Sequence, residues 1–235
     1  MRIQGISGSR GVAVGNVYRY IQEEIVIPDY TVAEDKVEEE IGKFAAAMAA
    51  TLKQLDTIRQ KALDEMGPEE AAIFEAHMQI AQDPSLSDGI KSLVESGHTN
   101  VVAATAQTIE TFANIFLGME DPYMRERGAD IKDIGDRLMR NMLGMNPRGL
   151  SHISGEVILV AQDLAPSDTA SLDKNVVKGI VTAAGGPTSH AAIMARTLEI
   201  PAVMGVGDIE SFVDGDKAVV LGTDGIVEIN PSDAD

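Results

Sequence analysis

Between Thr31 and Gly144 the apolar residues recur at steps of three and four, whereas on either side they gather into short compact runs. Val37, Ile41, Phe44, Met48, Leu52, Leu55, Ile58 and Ala62 trace one face of a long helix. Thr31-Val32-Ala33-Glu34 matches a capping box at its start, and Gly67-Pro68 stops it. A second helix runs through Ile73, Phe74, His77 and Ile80 to Asp83-Pro84. Shorter helical stretches follow at 85–96, 99–117 and 122–143, with Gly97, Gly118 and Gly144 as end signals. Together they predict a helical bundle.

The flanking segments read as strands. Val12 to Ile21 alternates imperfectly, and 156–160 and 176–181 are compact apolar runs. Ala218–Leu221 is joined through Thr223-Asp224-Gly225 to Ile226–Ile229 as a hairpin. A helix from Ser167 to Asp173 and another from Ala191 to Glu199, ending at Ile200-Pro201, alternate with these strands. The economical arrangement is an α/β domain built from 1–30 and 146–235, interrupted by an α-helical subdomain at 31–145.

The strongest chemical signal is Gly185-Gly186-Pro187-Thr188-Ser189-His190 followed by Ala191-Ala192-Ile193-Met194-Ala195-Arg196. It sets one histidine in the first turn of a helix, directly after a glycine turn. Thr188 or Ser189 can cap that helix, and its end carries about half a positive charge. Such an end attracts anions and disfavours imidazolium, which keeps the ring nucleophilic. A phosphohistidine there would add close to two negative charges for the same amides to meet. Gly185 and Gly186 carry no side chains, so a phosphoryl donor can approach. The competing reading of His190 is a capping or surface histidine. The motif lacks the Gly-Lys-Ser/Thr of a Walker A loop, is not GxGxxG, and has no G-x-S-x-G elbow around Ser189.

Composition removes further classes. The 235 residues are 44% hydrophobic and contain no cysteine, which excludes disulfides, zinc-thiolate sites and thiol catalysis. A net charge of −18 argues against a nucleic-acid partner. No run reaches the roughly 20 apolar residues of a membrane span, and no signal-peptide pattern opens the chain, so a cytoplasmic protein without membrane insertion is expected. The four histidines lack H-x-x-x-H spacing, so no metal site is expected; His98 and His152 read as solvated.

Residues 185–206, GGPTSHAAIMARTLEIPAVMGV, resemble the phosphohistidine signature of the phosphoenolpyruvate-utilising enzymes, and most closely that of Enzyme I of the bacterial phosphotransferase system. Gly5 to Gly15, Ala72 to His77, Tyr123 to Gly135, Val157 to Val160 and Asp163 to Ala170 are similar to blocks of that family in the same order. The family commonly has aspartate and arginine where this chain has Ala183 and Pro187, and threonine where it has Ala165. The resemblance implies a swivelling phosphohistidine domain with an inserted helical bundle that docks the phosphocarrier protein HPr. It makes His190 the phosphohistidine, attacking through its ε nitrogen, and supports a ring-orienting role for Thr169. In the complete enzyme a carboxy-terminal barrel would bind phosphoenolpyruvate with magnesium; this chain has no room for that barrel and would need no cofactor of its own.

The remaining assignments are expectations of the same kind. Gly185, Gly186, Thr188, Ser189 and Arg196 would hold phosphate. Arg196 lies six residues after His190, roughly 240° around and about 9 Å along the helix, so a surface ion pair is its alternative. Phe74, His77 and Arg125 would meet HPr, the alternative for His77 being a place inside the bundle. Acidity would steer a basic carrier. A monomer is expected. The rival functions are a noncatalytic carrier-docking module and the same domain from a nitrogen-related or dihydroxyacetone phosphotransferase protein.

Overall fold

The computed structural model describes residues 1–21, 23–145, 150, 153, 155–169 and 172–231, with the backbone alone at 122, 123 and 126. The chain divides into two compact units, Glu24–Arg148 and a discontinuous unit made of Met1–Glu23 with Gly149–Asp235.

The first unit is helical: α1 (Val37–Glu65), α2 (Pro68–Ala81), α3 (Pro84–Glu95), α4 (Val101–Leu117) and α5 (Pro122–Leu143). Proline stands in the first turn of α2 and α3, where its missing N–H is lost at no cost to the ladder. Asp83 accepts the Ser85 amide at 2.7 Å, and Asn100 accepts the Ala103 amide at 2.9 Å. Glu40 of α1 is buried; its carboxylate accepts the Val101 amide at 2.9 Å, the Tyr30 hydroxyl at 3.0 Å and the Lys43 ammonium at 2.6 Å. α4 and α5 approach closely at two glycines on α5. A Cβ on Gly135 would lie 2.6 Å from Ile109, and one on Gly128 would lie 2.7 Å from Leu117.

Two sequence readings of this unit need correction. Thr31 does not cap a helix: it bridges Thr99, and the Val32 amide donates to the His98 carbonyl, which holds the segment extended. A 3₁₀ turn at Glu34–Lys36, capped by no side chain, precedes α1 instead. α3 ends at Glu95, two residues before its end signal Gly97, and the left-handed residue that follows is His98 (φ 50°). Gly97 serves by close approach, since a Cβ there would sit 2.7 Å from the Leu93 carbonyl. Residues 24–30, which the sequence pattern assigns to the α/β part, lie in the helical unit; Asn100 donates to the carbonyls of Pro28 and Tyr30.

The second unit is one sheet with short helices. Its strands are β1 (Arg2–Gln4), β2 (Ile6–Ser9), β3 (Val12–Tyr20), β4 (Val157–Ala161), β5 (Val177–Thr182), β6 (Ala202–Met204), β7 (Lys217–Leu221) and β8 (Ile226–Ile229), in the order β1-β8-β7-β3-β4-β5-β6-β2. β3 to β6 run parallel, with antiparallel neighbours on both sides. The two outermost strands, β1 and β2, are separated in the chain by Gly5 alone, so the sheet closes on itself and its edges are guarded. The β7–β8 turn seals the seam: Gly5 N–H donates to the Gly225 carbonyl and Gly222 N–H to the Gly11 carbonyl, both at 2.8 Å. A Cβ on Gly222 would collide with the Ser9 carbonyl oxygen.

Every residue of β4 is buried, which is why its sequence runs apolar without alternation. Val157, Leu159 and Ala161 join one core with Ala191, Ala192 and Ala195; Ile158 and Val160 join the other with Phe212 and Val220. Burying each such leucine or isoleucine contributes about 1.5–3 kcal/mol. Two helices carry the site, α6 (Pro166–Thr169) and α7 (His190–Thr197), and they lie in contact. The alanines of α7 face the sheet. Among the described residues no helix is long and apolar enough to cross a membrane.

Candidate functional site

The buried strand β5 fixes one end of the site. At its last residue the Thr182 hydroxyl donates to the Ala184 carbonyl at 2.6 Å, folding the chain back on itself. The Val206 and Gly207 amides donate to the Thr182 and Ala183 carbonyls at 3.1 and 3.0 Å, so the loop is braced from the side. Gly185 then takes φ 90°, a conformation that side chains disfavour, and a Cβ there would crowd the Ser189 hydroxyl at 3.2 Å. A Cβ at Gly186 would meet nothing within 4 Å, so that glycine leaves open space.

Ser189 is the N-cap of α7. Its hydroxyl donates to the Gly186 carbonyl at 2.8 Å and accepts the Ala192 amide at 3.3 Å. Of the two capping candidates, Thr188 is exposed and makes no cap. His190 is the first residue of α7 and is half-buried. The turn therefore delivers one imidazole at the positive end of a helix whose first-turn amides are directed the same way.

Thr169 is buried, and its hydroxyl donates within its own turn, to Pro166 O at 2.8 Å and Ala165 O at 3.3 Å. The expectation that this hydroxyl holds a ring nitrogen is corrected to this extent: its proton is engaged, and only its lone pairs can serve the ring. Arg196 donates to the Gly8 carbonyl of β2 at 2.7 Å and lines a cleft with Ser7, Ser9, Arg10 and Glu199. A phosphate role for Arg196 would have to share that bond.

The partner-contact expectation changes more. Phe74 and His77 are almost fully buried inside the helical unit, with exposures of 2% and 0%. The His77 ring meets Phe74 edge-on at 5.7 Å, its Nε2 lies 3.1 Å from Asp130 Oδ1, and its Nδ1 lies 3.8 Å from Asp133 Oδ2. Both residues are thus buried within the helical unit, His77 against α5, and are not surface contacts. Arg125 is exposed and donates to the Glu120 and Met119 carbonyls at 2.6 and 3.2 Å. His98 is half-exposed, 3.4 Å from Glu34, while His152 lies outside the described residues. No group of three or more His, Cys, Asp or Glu among the described residues is arranged to hold a metal ion.

The structure adds residues that sequence reasoning passed over. Asp168, wholly buried, accepts the Tyr20 hydroxyl at 2.7 Å and the Ala165 amide at 3.0 Å. The first of these contacts joins β3 to α6 across 148 residues and left no local trace; the second follows the spacing of a capping box, a legible signal.

Two family models match the chain: the amino-terminal domain of phosphoenolpyruvate-utilising enzymes over residues 4–127, and their mobile domain over 153–225. The phosphoenolpyruvate-protein phosphotransferase of Streptococcus equinus is 44% identical over 98% of this chain, and that of Geobacillus stearothermophilus 43% identical over 98%. The chain spans 40% of the length of each. A solution NMR structure of Enzyme I (nEIt) superposes with a TM-score of 0.84 at 42% identity, covering 99% of this chain and 94% of that one. The amino-terminal domain of a nitrogen Enzyme 1 gives 0.65 at 25% identity, covering 99% and 95%. With both family models in chain order around one glycine-turn histidine, this chain belongs to the phosphoenolpyruvate-utilising enzymes and is the amino-terminal part of an Enzyme I.

Proposed function

We propose that His190 carries a phosphoryl group and exchanges it reversibly with a histidine of HPr. The observation that carries this reading is the placement of His190 as first residue of α7, capped by Ser189 and reached from a turn whose Gly186 leaves open space. A ring-nitrogen lone pair attacks phosphorus in line; a new N–P bond forms as the N–P bond to the carrier breaks, and the carrier keeps that electron pair. The transition state is loose and charge-rich, so alignment and oriented donors do most of the work. First-turn amides, with the exposed Thr188 hydroxyl, supply donors beside Gly185 and Gly186, while Ser189, donating to the Gly186 carbonyl, fixes the turn.

Phosphoenolpyruvate and magnesium would act on the remainder of the complete enzyme. The described residues offer no oxygen-ligand cluster for magnesium, and no step here runs through it. HPr would dock on the exposed flank of the helical unit, where Arg125 remains a candidate and Phe74 and His77 act only by shaping α2. A cytoplasmic location suits these partners. The higher identity to Enzyme I than to the nitrogen branch supports the sugar pathway.

The test is to mix the chain with phosphorylated HPr and assay acid-labile, base-stable phosphate. Wild type should become labelled and His190→Ala should not, with binding of HPr retained. Binding without label on either protein would leave a docking module.

A further inference from the structure

The four-residue helix α6 is too short to hold itself and is anchored from both ends of one side chain. The spacing Ala165-Pro166-Ser167-Asp168 is that of a capping box with half of it missing. Asp168 supplies the returning half, its Oδ2 accepting the Ala165 amide at 3.0 Å. Ala165 has no side-chain oxygen with which to supply the other half, and threonine is what the resemblance leads one to expect there. The second carboxylate oxygen is taken up elsewhere: Oδ1 accepts the Tyr20 hydroxyl, 2.7 Å away, from the end of β3. Asp168 is 0% exposed, so the carboxylate is held away from water, where such charged hydrogen bonds are strongest. Tyr20 also packs against the apolar core that contains Ala191 and Ala192 of α7.

We infer that Tyr20 is a positioning residue for the phosphohistidine: acting through Asp168, it supplies the anchor that Ala165 lacks, and so holds α6 and Thr169 in register with α7 and His190. Two facts connect the anchor to the site. Thr169 follows Asp168 directly and is buried, and α6 and α7 are in contact. A loss of the Tyr20 bond therefore changes the surroundings of His190 before it changes the sheet, whose strand pairing does not use the tyrosine hydroxyl. The inference rests on the phosphoryl-carrier reading of His190.

Tyr20→Phe deletes the hydroxyl and little else. The rate of transfer from phosphorylated HPr to His190 should fall about tenfold with KM unchanged, in line with what small misplacements cost. The ¹⁵N signals of the His190 ring should shift, while the melting temperature stays near that of wild type. Ala165→Thr restores the missing half of the box and should recover most of the rate in the Tyr20→Phe background. Wild-type rate and unchanged ring signals in Tyr20→Phe would overturn the assignment, as would a failure of Ala165→Thr to rescue. Should wild type itself take no phosphate, the carrier reading fails; the ring signals then still decide whether Tyr20 orients His190.

Discussion

Glycine does different work at one position of the α/β unit and at two of the helical unit. At Gly222 it lets backbone meet backbone, resting against the Ser9 carbonyl at the seam of the closed sheet. At Gly128 and Gly135 it lets backbone meet side chain, receiving Leu117 and Ile109 of the facing helix. A carbonyl bound into a sheet has nowhere to go, whereas an isoleucine has other rotamers and a helix can shift. The same residue type is therefore intolerant of change at Gly222 and negotiable at Gly128 and Gly135.

That contrast breaks first at Gly222. Gly222→Ala should destabilise the α/β unit by about 3 kcal/mol or more, the upper end for overpacking, and no single compensating truncation should restore it. Thermal unfolding with probes in each unit checks this, and a loss below about 1 kcal/mol would sink the backbone argument. Gly135→Ala should cost about 1–3 kcal/mol, and Ile109→Val in the same chain should recover part of it. Gly42→Ala is the control. It sits within α1 with nothing inside 4 Å of its Cβ, so the propensity gain of roughly 0.5–1 kcal/mol stands alone there.

A separate effect concerns acid. Burial pushes the Glu40 carboxyl upward, but the Lys43 ammonium, the Val101 amide and the Tyr30 hydroxyl together hold it below the usual carboxylate value. The folded unit therefore binds this proton more weakly than the unfolded chain. Its stabilisation is complete above the unfolded value near pH 4.3 and is lost as pH falls through the lower folded value. Glu40→Gln should cost about 1–2 kcal/mol at pH 7 and flatten the acid limb of the helical unit's melting curve. An acid limb as steep as wild type would assign the sensitivity to other carboxylates.

The units differ again in how much the sequence discloses. Periodicity marks all five long helices, because each buries one face against its neighbours and must repeat it. It fails at Thr31, where a bridge to Thr99 outweighs a local cap. β4, β5, β7 and β8 are visible as apolar runs. β1, β2 and β6 are not, since three or four residues broken by Gly5 and Gly8 carry no usable alternation. At the site, His190 and its Ser189 cap are local and could be read. The burial of Phe74 and His77, the Gly8 tether of Arg196 and the Tyr20–Asp168 bond are long-range, and spacing alone could not supply them.

The closed sheet also bears on the order in which the protein is made. β1 can pair only with β8, which begins at Ile226, while the helical unit lies uninterrupted between Glu24 and Arg148. On the ribosome the helices can dock while Arg2–Gln4 wait, exposed, for a partner synthesised more than two hundred residues later. The turn that leads into His190 is thus synthesised only after the whole helical unit.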